Sequence, residues 1–197
     1  MRSRLPWSLM LCAALLLSVG CSADPPIQDR LDESYPLVTQ DSTAVTFPDA
    51  YAGTPMLVGY IYTECPDVCP MITTNMKDVR AKLESPDAVQ FVTITFDPER
   101  DTPARLARYQ ASFGLNGTSW QFLTGRPATV DSLMARLDIR HEKTFPKGAT
   151  EPDSSEYFIN HTNQITLFDA QGRIRAEYGG SMTPPKYILD DIRTLTQ

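Results

Sequence analysis

The feature that most constrains the fold is an apolar run, Met56 to Tyr62, that leads directly into two cysteines spaced C-x3-C. The run has the length and composition of a buried strand. Apolar residues at helical spacing follow it, and Pro70 suits a first helical turn, where its missing N–H costs nothing. The sequence therefore predicts a strand, a short turn that carries Cys65, and a helix with Cys69 at its N-terminus.

The expected place of the two thiols determines their chemistry. Unpaired backbone N–H groups and the positive end of the dipole at a helix N-terminus favour a thiolate over a thiol. Two such sulfurs can form a disulfide, exchange one, or bind a soft metal. Thioredoxin-type redox motifs use C-x2-C, and the extra residue here lets both sulfurs face one external atom. An inert structural disulfide is the alternative interpretation, although a short loop gains little from closure.

The N-terminal segment predicts export. Two arginines precede an apolar run over 9–19 that is too short to span a membrane, so residues 1–20 form a secretory signal. The signal resembles that of bacterial lipoproteins, with Cys21 as the lipidated first residue of the mature chain. Ser18 stands where such signals usually have Leu, and the alternatives are cleavage by an ordinary signal peptidase or an uncleaved signal anchor. In each case the domain faces the periplasm, an oxidising compartment.

Composition narrows what the mature chain can do. The stretch 21–35, with two prolines and many charges, predicts a flexible tether ahead of a domain over 36–197. Loss of the signal leaves 16 of the 18 basic residues against 24 acidic ones, without a basic stripe, which argues against a nucleic-acid partner. Cys12 leaves with the signal and Cys21 would carry lipid. Only Cys65 and Cys69 then remain for thiol chemistry.

The remaining elements follow from periodicity. Strands are expected at Val89 to Phe96, Trp120 to Leu123, Gln164 to Phe168 and Arg173 to Tyr178. Helices are expected at Thr102 to Phe113, at Thr129 to Leu137, and from Pro184 or Pro185 to about Thr194. A hairpin is expected within 37–47 and a long loop over 140–156. This order predicts an α/β fold with a mixed central sheet flanked by helices. A dithiol after the first main strand is the thioredoxin arrangement, here with an N-terminal hairpin and an inserted loop before the terminal hairpin.

The two histidines are the candidates for a third ligand. His141 lies among charged residues and is predicted to be a solvated loop residue. His161 precedes the terminal hairpin, and in a thioredoxin-like fold that loop can come close to the dithiol. Structural zinc takes four protein ligands, so two sulfurs and one imidazole suit copper better. A satisfied or surface histidine is the alternative interpretation of His161.

Three stretches together resemble the Sco/SenC family. They are TECPDVCP at 63–70, TFDPERDTP at 95–103, and His161 ahead of QITLFD at 164–169. The first two motifs together are highly specific, and the resemblance runs from about Tyr35 to the C-terminus. Members of this family are membrane-tethered, thioredoxin-like copper proteins implicated in assembly of cytochrome c oxidase.

The resemblance implies roles for individual residues. Cys65, Cys69 and His161 match the family's copper ligands, for one ion per chain, and Cys65 with Cys69 is also a redox-active pair. Asp97 matches an acidic residue beside the site, which positions groups or tunes the thiols. A simple turn residue before a proline is the alternative for Asp97. Asn160 stands where many members have Asp, which bears on the electrostatics around the ligands and not on ligation.

These features lead us to expect an extracytoplasmic metallochaperone that contacts the membrane through its lipid anchor only. It would pass copper to the dinuclear copper site of an oxidase subunit, or reduce the cysteines there. A thiol reductant or an upstream copper donor would serve it, because a disulfide cannot ligate as two thiolates. The alternative is an enzyme, a thiol–disulfide oxidoreductase or peroxide-reducing protein, which needs the cysteines but not His161. A copper-dependent redox sensor is the third hypothesis.

Overall fold

A computed structural model describes residues 24–145 and 157–196. The predicted signal 1–20 and Cys21 lie outside these residues, as does most of the predicted loop 140–156. No helix in the described part of the chain is long and apolar enough to span a bilayer.

Ten strands and four helices make up the described chain. The strands are β1 Asp29–Arg30, β2 Tyr35–Thr39, β3 Ala44–Phe47, β4 Met56–Ile61, β5 Gln90–Thr95, β6 Gln121–Thr124, β7 His141–Thr144, β8 Phe158–His161, β9 Gln164–Phe168 and β10 Arg173–Gly179. The helices are α1 Val68–Ala81, α2 Pro103–Ser112, α3 Pro127–Arg136 and α4 Pro185–Leu195. Eight strands form one sheet in the order β1-β10-β9-β4-β5-β6-β2-β3, and β7 and β8 form a separate pair.

The predicted α/β architecture is confirmed. Strands β4, β5 and β6 are parallel, whereas β4 pairs with β9 in the antiparallel sense, so the sheet is mixed. All six residues of β4 are buried, as its continuous apolar run indicates. The N-terminal hairpin β2–β3 and the terminal hairpin β9–β10 are both present. The C-terminal end of β4 therefore meets the N-terminus of α1 at one edge of a covered sheet.

Local sequence explains which face of α1 is buried and where α2 begins. Ile72, Met76 and Val79 are buried on one face of α1. In α2, Thr102 is the N-cap, its hydroxyl accepts a hydrogen bond from the Arg105 N–H at 3.4 Å, and Pro103 follows. This cap places the DPERDTP segment in the turn between β5 and α2, at the same edge of the sheet as the cysteines.

The predicted loop over 140–156 is wrong at its beginning. Residues His141–Thr144 form β7, which pairs antiparallel with β8 and places His141 directly opposite His161. The segment HEKT has no apolar alternation, so its strand comes from pairing with β8 and not from local pattern. We call β7 and β8 together the arm, because they lie outside the main sheet.

The predicted flexible tether 21–35 is also wrong over its described part. β1 pairs with β10, and Leu31 is buried. The buried Arg175 side chain donates to the Pro25 carbonyl through Nε at 2.8 Å. Buried side chains of Pro25, Leu31 and Tyr35, the pairing of β1 and the Arg136–Asp29 ion pair fasten this segment to the domain, and its polar composition conceals them.

Candidate metal centre

The turn between β4 and α1 presents both thiols to the end of the sheet. Cys65 lies in the turn, and Cys69 is the second residue of α1. Cys69 is fully buried, and Cys65 is 9% exposed. The Cys69 N–H donates to Cys65 Sγ at 3.3 Å, and the Tyr62 N–H faces Cys69 Sγ at 3.5 Å. A backbone donor at the helix start therefore points at Cys65 Sγ, and one at the end of β4 points at Cys69 Sγ.

The two thiols differ strongly in acidity. Hydrogen bonding to the Cys69 thiol, with smaller contributions from His161 and the backbone N–H groups of Cys69 and Asp67, lowers the pKa of Cys65 to about 3 despite partial burial. Burial, and then the neighbouring Cys65 sulfur, raise the pKa of Cys69. These opposite shifts of the pKa favour the thiolate form at Cys65 and the thiol form at Cys69.

The imidazole of His161 completes the group. Its Nε2 lies 3.4 Å from Cys69 Sγ, and its Nδ1 lies 2.9 Å from the Thr162 carbonyl oxygen. A carbonyl only accepts, so the Nδ1 atom carries the proton in this contact, and Nε2 is the ring nitrogen that faces the sulfurs. Nε2 is therefore the atom that would ligate a metal in place of a proton.

Three donor atoms from Cys65, Cys69 and His161 lie within 4.8 Å of one another. Among the described residues this is the only set of three or more His, Cys, Asp or Glu side chains arranged so closely. Two sulfurs and one imidazole nitrogen are soft and intermediate donors, which fit copper. The structure thus brings together the three residues on which the sequence-based prediction depends.

Aromatic rings enclose the imidazole. The Phe96 ring centroid is 4.7 Å from that of His161, and the Tyr62 ring meets His161 edge-on at 5.9 Å. The Tyr62 hydroxyl also accepts a hydrogen bond from the Ile159 N–H at 3.3 Å. Sequence reasoning did not single out these two rings, because aromatic residues at the ends of buried strands look like ordinary core.

Asp97 lies beside the arm, with its carboxylate fully engaged. Oδ1 accepts from the Tyr157 hydroxyl at 2.7 Å and Oδ2 from Arg100 Nε at 2.5 Å. Asp97 is 2% exposed. Asn160, in contrast, is exposed, and its amide donates to the Thr144 hydroxyl at 3.1 Å, across the arm. Neither Tyr157 nor Arg100 was among the predicted site residues.

His141 does not join the thiols. Its Nε2 lies 3.2 Å from Asp131 Oδ1, and its ring packs 5.8 Å from Phe96. The prediction of a solvated loop residue is wrong, since His141 is a strand residue with about a fifth of its side chain exposed.

A buried acid stands behind the cysteine turn. Asp101 is fully buried and accepts from the Thr63 N–H at 3.0 Å, the Thr63 hydroxyl at 2.5 Å and the Thr95 hydroxyl at 2.6 Å. Burial raises the pKa of Asp101. These bonds tie the turn that carries Cys65 to the end of β5. A lone Asp in a turn motif gives no sign of such a role in the sequence.

Comparison with known proteins shows which family the chain resembles. A family model described as SCO1/SenC matches residues 23–197. The SCO1 protein homolog of Bacillus subtilis (strain 168) is 27% identical over 190 residues, which cover 93% of this chain and 94% of that protein. The structure of Bradyrhizobium japonicum ScoI with copper bound has a TM-score of 0.71 at 30% identity, over 83% of this chain and 98% of that one. BsSco, described as having a disulfide switch and as a member of the Sco family of cytochrome c oxidase assembly proteins, shares the fold. Its TM-score is 0.67 at 23% identity, over 87% of this chain and 96% of that one.

Proposed function

Because the chain belongs to the SCO1/SenC family, we propose that it binds copper as cargo and assists assembly of the dinuclear copper site of cytochrome c oxidase. The observation that carries the proposal is the convergence of Cys65, Cys69 and His161 within 4.8 Å. Copper in the related ScoI structure supports the choice of metal.

The proposed site holds one copper ion through three protein donors. Cys65 supplies a thiolate that is already formed, Cys69 loses its proton when the ion binds, and His161 offers the lone pair of Nε2. Closed structural sites of zinc use four ligands. A three-donor site therefore leaves a position for a ligand from the recipient subunit, which is what transfer requires.

Oxidation of the dithiol would switch the site off. With Cys65 as thiolate and Cys69 as thiol, joining the two in a disulfide releases two electrons and one proton and removes both sulfur ligands. A thiol reductant must return the two electrons, with the proton, before copper is loaded from an upstream donor. The disulfide switch described for BsSco supports such control.

The test is copper binding by the purified, reduced chain. We expect one copper per chain with a sulfur-to-copper absorption band, and loss of both in His161→Ala and Cys65→Ser. His141→Ala is the matched control, because this histidine is the cross-strand neighbour of His161 but faces Asp131. Absence of tight copper binding by the unaltered chain, with a readily reducible disulfide, would contradict the proposal.

A thiol–disulfide oxidoreductase is the second candidate, favoured by the lowered pKa of Cys65. A stable thiolate is a good leaving group in exchange, so the reduced pair forms readily. The His161→Ala variant separates the two functions. We expect this variant to lose copper binding but to exchange thiols with a small disulfide as fast as the unaltered chain. If both activities fell equally, thiol exchange would not be a separate function.

We further propose that residues 1–20 are removed on export and that Cys21 is lipidated, so that the domain lies outside the cytoplasm and meets the membrane through this anchor only. The support is the short apolar run 9–19 ahead of Cys21. Cells grown with labelled fatty acid should label the unaltered protein but not Cys21→Ala. An unlabelled, soluble mature protein would indicate ordinary signal peptidase cleavage instead.

A further inference from the structure

The strand that carries His161 faces the domain with every second residue. Tyr157 and Ile159 are buried, whereas Phe158 is 56% exposed and Asn160 is exposed. Tyr157 directly precedes β8, and the alternation of side chains along the extended chain points it the same way as Ile159 and His161. β8 pairs only with β7 among the described strands, so contacts of these three residues with the domain help to set the position of His161, together with the link to β9.

Tyr157 contacts the turn after β5 in three ways. Its hydroxyl donates to Asp97 Oδ1 at 2.7 Å, and its carbonyl accepts from Arg100 Nη1 at 3.1 Å. The Arg100 guanidinium lies over the Tyr157 ring, 3.6 Å from the centroid, and also binds the Asp97 carboxylate. One residue is thus held by a charge-assisted hydrogen bond, a backbone hydrogen bond and a cation–π contact.

The attachments of β8 are spaced at two-residue intervals. Tyr157 binds Asp97, the Ile159 N–H donates to the Tyr62 hydroxyl, and His161 reaches Cys69. Four residues of strand span about 13 Å, so a shift at the first attachment is carried along β8 to the imidazole. Asp97 and Arg100, in the turn after β5, provide the fixed point on the domain.

We propose that Tyr157 is a positioning residue for the metal site, which acts through Asp97 and Arg100 to hold His161 against the two thiols. This rests on the proposed function in one respect, that His161 is a copper ligand. The proposal also gives Asp97 a role. Because Tyr157 and Arg100 bind both of its carboxylate oxygens, Asp97 helps to position His161 and does not contact the sulfurs through its carboxylate.

The test removes one hydroxyl. Tyr157→Phe keeps the ring under Arg100 and loses only the bond to Asp97. Tyr178→Phe is the matched control, because the Tyr178 hydroxyl donates to Asp191 Oδ2 at the same 2.7 Å on a different part of the molecule. The full chain of each variant is loaded with copper(II) alone, and three quantities are measured: the copper dissociation rate, the sulfur-to-copper band and the reduction potential of the cysteine pair.

We expect copper to leave Tyr157→Phe about tenfold faster, as is usual when a group that orients a ligand is lost. The absorption band should shift with it, while the reduction potential stays at the value of the unaltered chain. Tyr178→Phe should change none of these. A merely structural role of Tyr157 would lower the urea unfolding midpoint of Tyr157→Phe without moving the band or the dissociation rate. A dissociation rate for Tyr157→Phe within twofold of the unaltered chain would overturn the proposal.

Amide hydrogen exchange of the copper-free chain tests independently whether Tyr157 holds β8 against the domain. The Ile159 N–H should exchange faster in Tyr157→Phe than in the unaltered chain, because β8 becomes more mobile and the hydrogen bond from this N–H to the Tyr62 hydroxyl opens more often. Unchanged exchange would refute the anchoring role even if copper binding fell. Failure of the unaltered chain to bind copper would refute the proposed function, and the exchange result would still report whether Tyr157 holds β8.

Discussion

At the scale of single residues, Gly180 is fixed by close packing between α1 and the start of β9. A Cβ on this residue would lie 2.9 Å from both Ile72 Cγ1 and Asn163 Oδ1, and 3.1 Å from the Gln164 backbone carbon. One of these neighbours is backbone, so the contact cannot be relieved by side-chain rotation alone. Gly180→Ala should lower the free energy of unfolding by about 1 to 3 kcal/mol.

The adjacent glycine is the control for this prediction. A Cβ on Gly179 would meet only Thr183 and Met182, at 3.7 and 3.8 Å, which is ordinary contact. Gly179→Ala should therefore leave the urea unfolding midpoint nearly unchanged. Equal midpoints for the two variants would show that the close packing around Gly180 is easily relieved.

Residue by residue, the sequence reveals the ligands better than the groups that hold them. Cys65 and Cys69 stand out by their spacing and His161 by its place before the terminal hairpin. Tyr157 and Arg100 do not, because their partnership joins residues 57 positions apart and exists only once the arm has docked. Local pattern carries no information on such a contact.

At the scale of elements, the hairpin β9–β10 is organised by one carboxylate. Asp169 Oδ1 accepts from the backbone N–H groups of Gln171 and Arg173, each at 3.0 Å. Oδ2 binds the guanidinium groups of Arg173 and Arg175, at 2.7 and 3.1 Å. Burial would raise the pKa of Asp169, but these hydrogen bonds outweigh it and the pKa is lowered.

The lowered pKa gives Asp169→Asn a pH dependence. A carboxyl whose pKa is lower in the folded than in the unfolded state stabilises the fold above its unfolded pKa, about 3.9, and loses this as pH falls through the folded value. Asp169→Asn should therefore cost about 1 to 2 kcal/mol at pH 7. The difference from the unaltered chain should shrink below about pH 4.

Urea unfolding of the two chains at pH 7 and at pH 3 measures this effect. Asp190→Asn serves as the control, since Asp190 is an exposed partner of Lys186 and Arg193 on α4 and should contribute little at either pH. A cost for Asp169→Asn that is the same at both pH values would mean that the charge on Asp169 does not stabilise the hairpin.

The elements that the sequence predicts well are those whose pattern agrees with their environment. β4 is a continuous apolar run and is buried throughout, and β9–β10 is bounded by turn residues. β7 was missed because its four polar residues leave it mostly exposed and only its pairing with β8 makes it a strand. Tertiary contacts override propensity in such short segments.

At the scale of the whole molecule, the segment before β2 belongs to the folded domain. Leu31 is 5% exposed, and Arg136 Nη1 binds Asp29 Oδ2 at 2.7 Å. Arg175, which is 7% exposed, relies on the Pro25 carbonyl and on Asp169 for its hydrogen bonds. Polar composition predicts a tether here, because composition does not show where a backbone carbonyl meets a buried guanidinium.

A chain that begins at Tyr35 should therefore be less stable than one that begins at Asp24, by about 2 to 4 kcal/mol, from the lost burial of Leu31 and the lost partner of Arg175. The metal site should not change with it. β1 pairs at the Arg173 end of β10, whereas the Gly179 end pairs with Gln164, toward the end of the sheet where β4 leads into the cysteine turn. Urea midpoints and copper stoichiometry of the two chains separate these effects. Equal midpoints would show that the segment adds no stability, and loss of copper from the folded shorter chain would show that it supports the site.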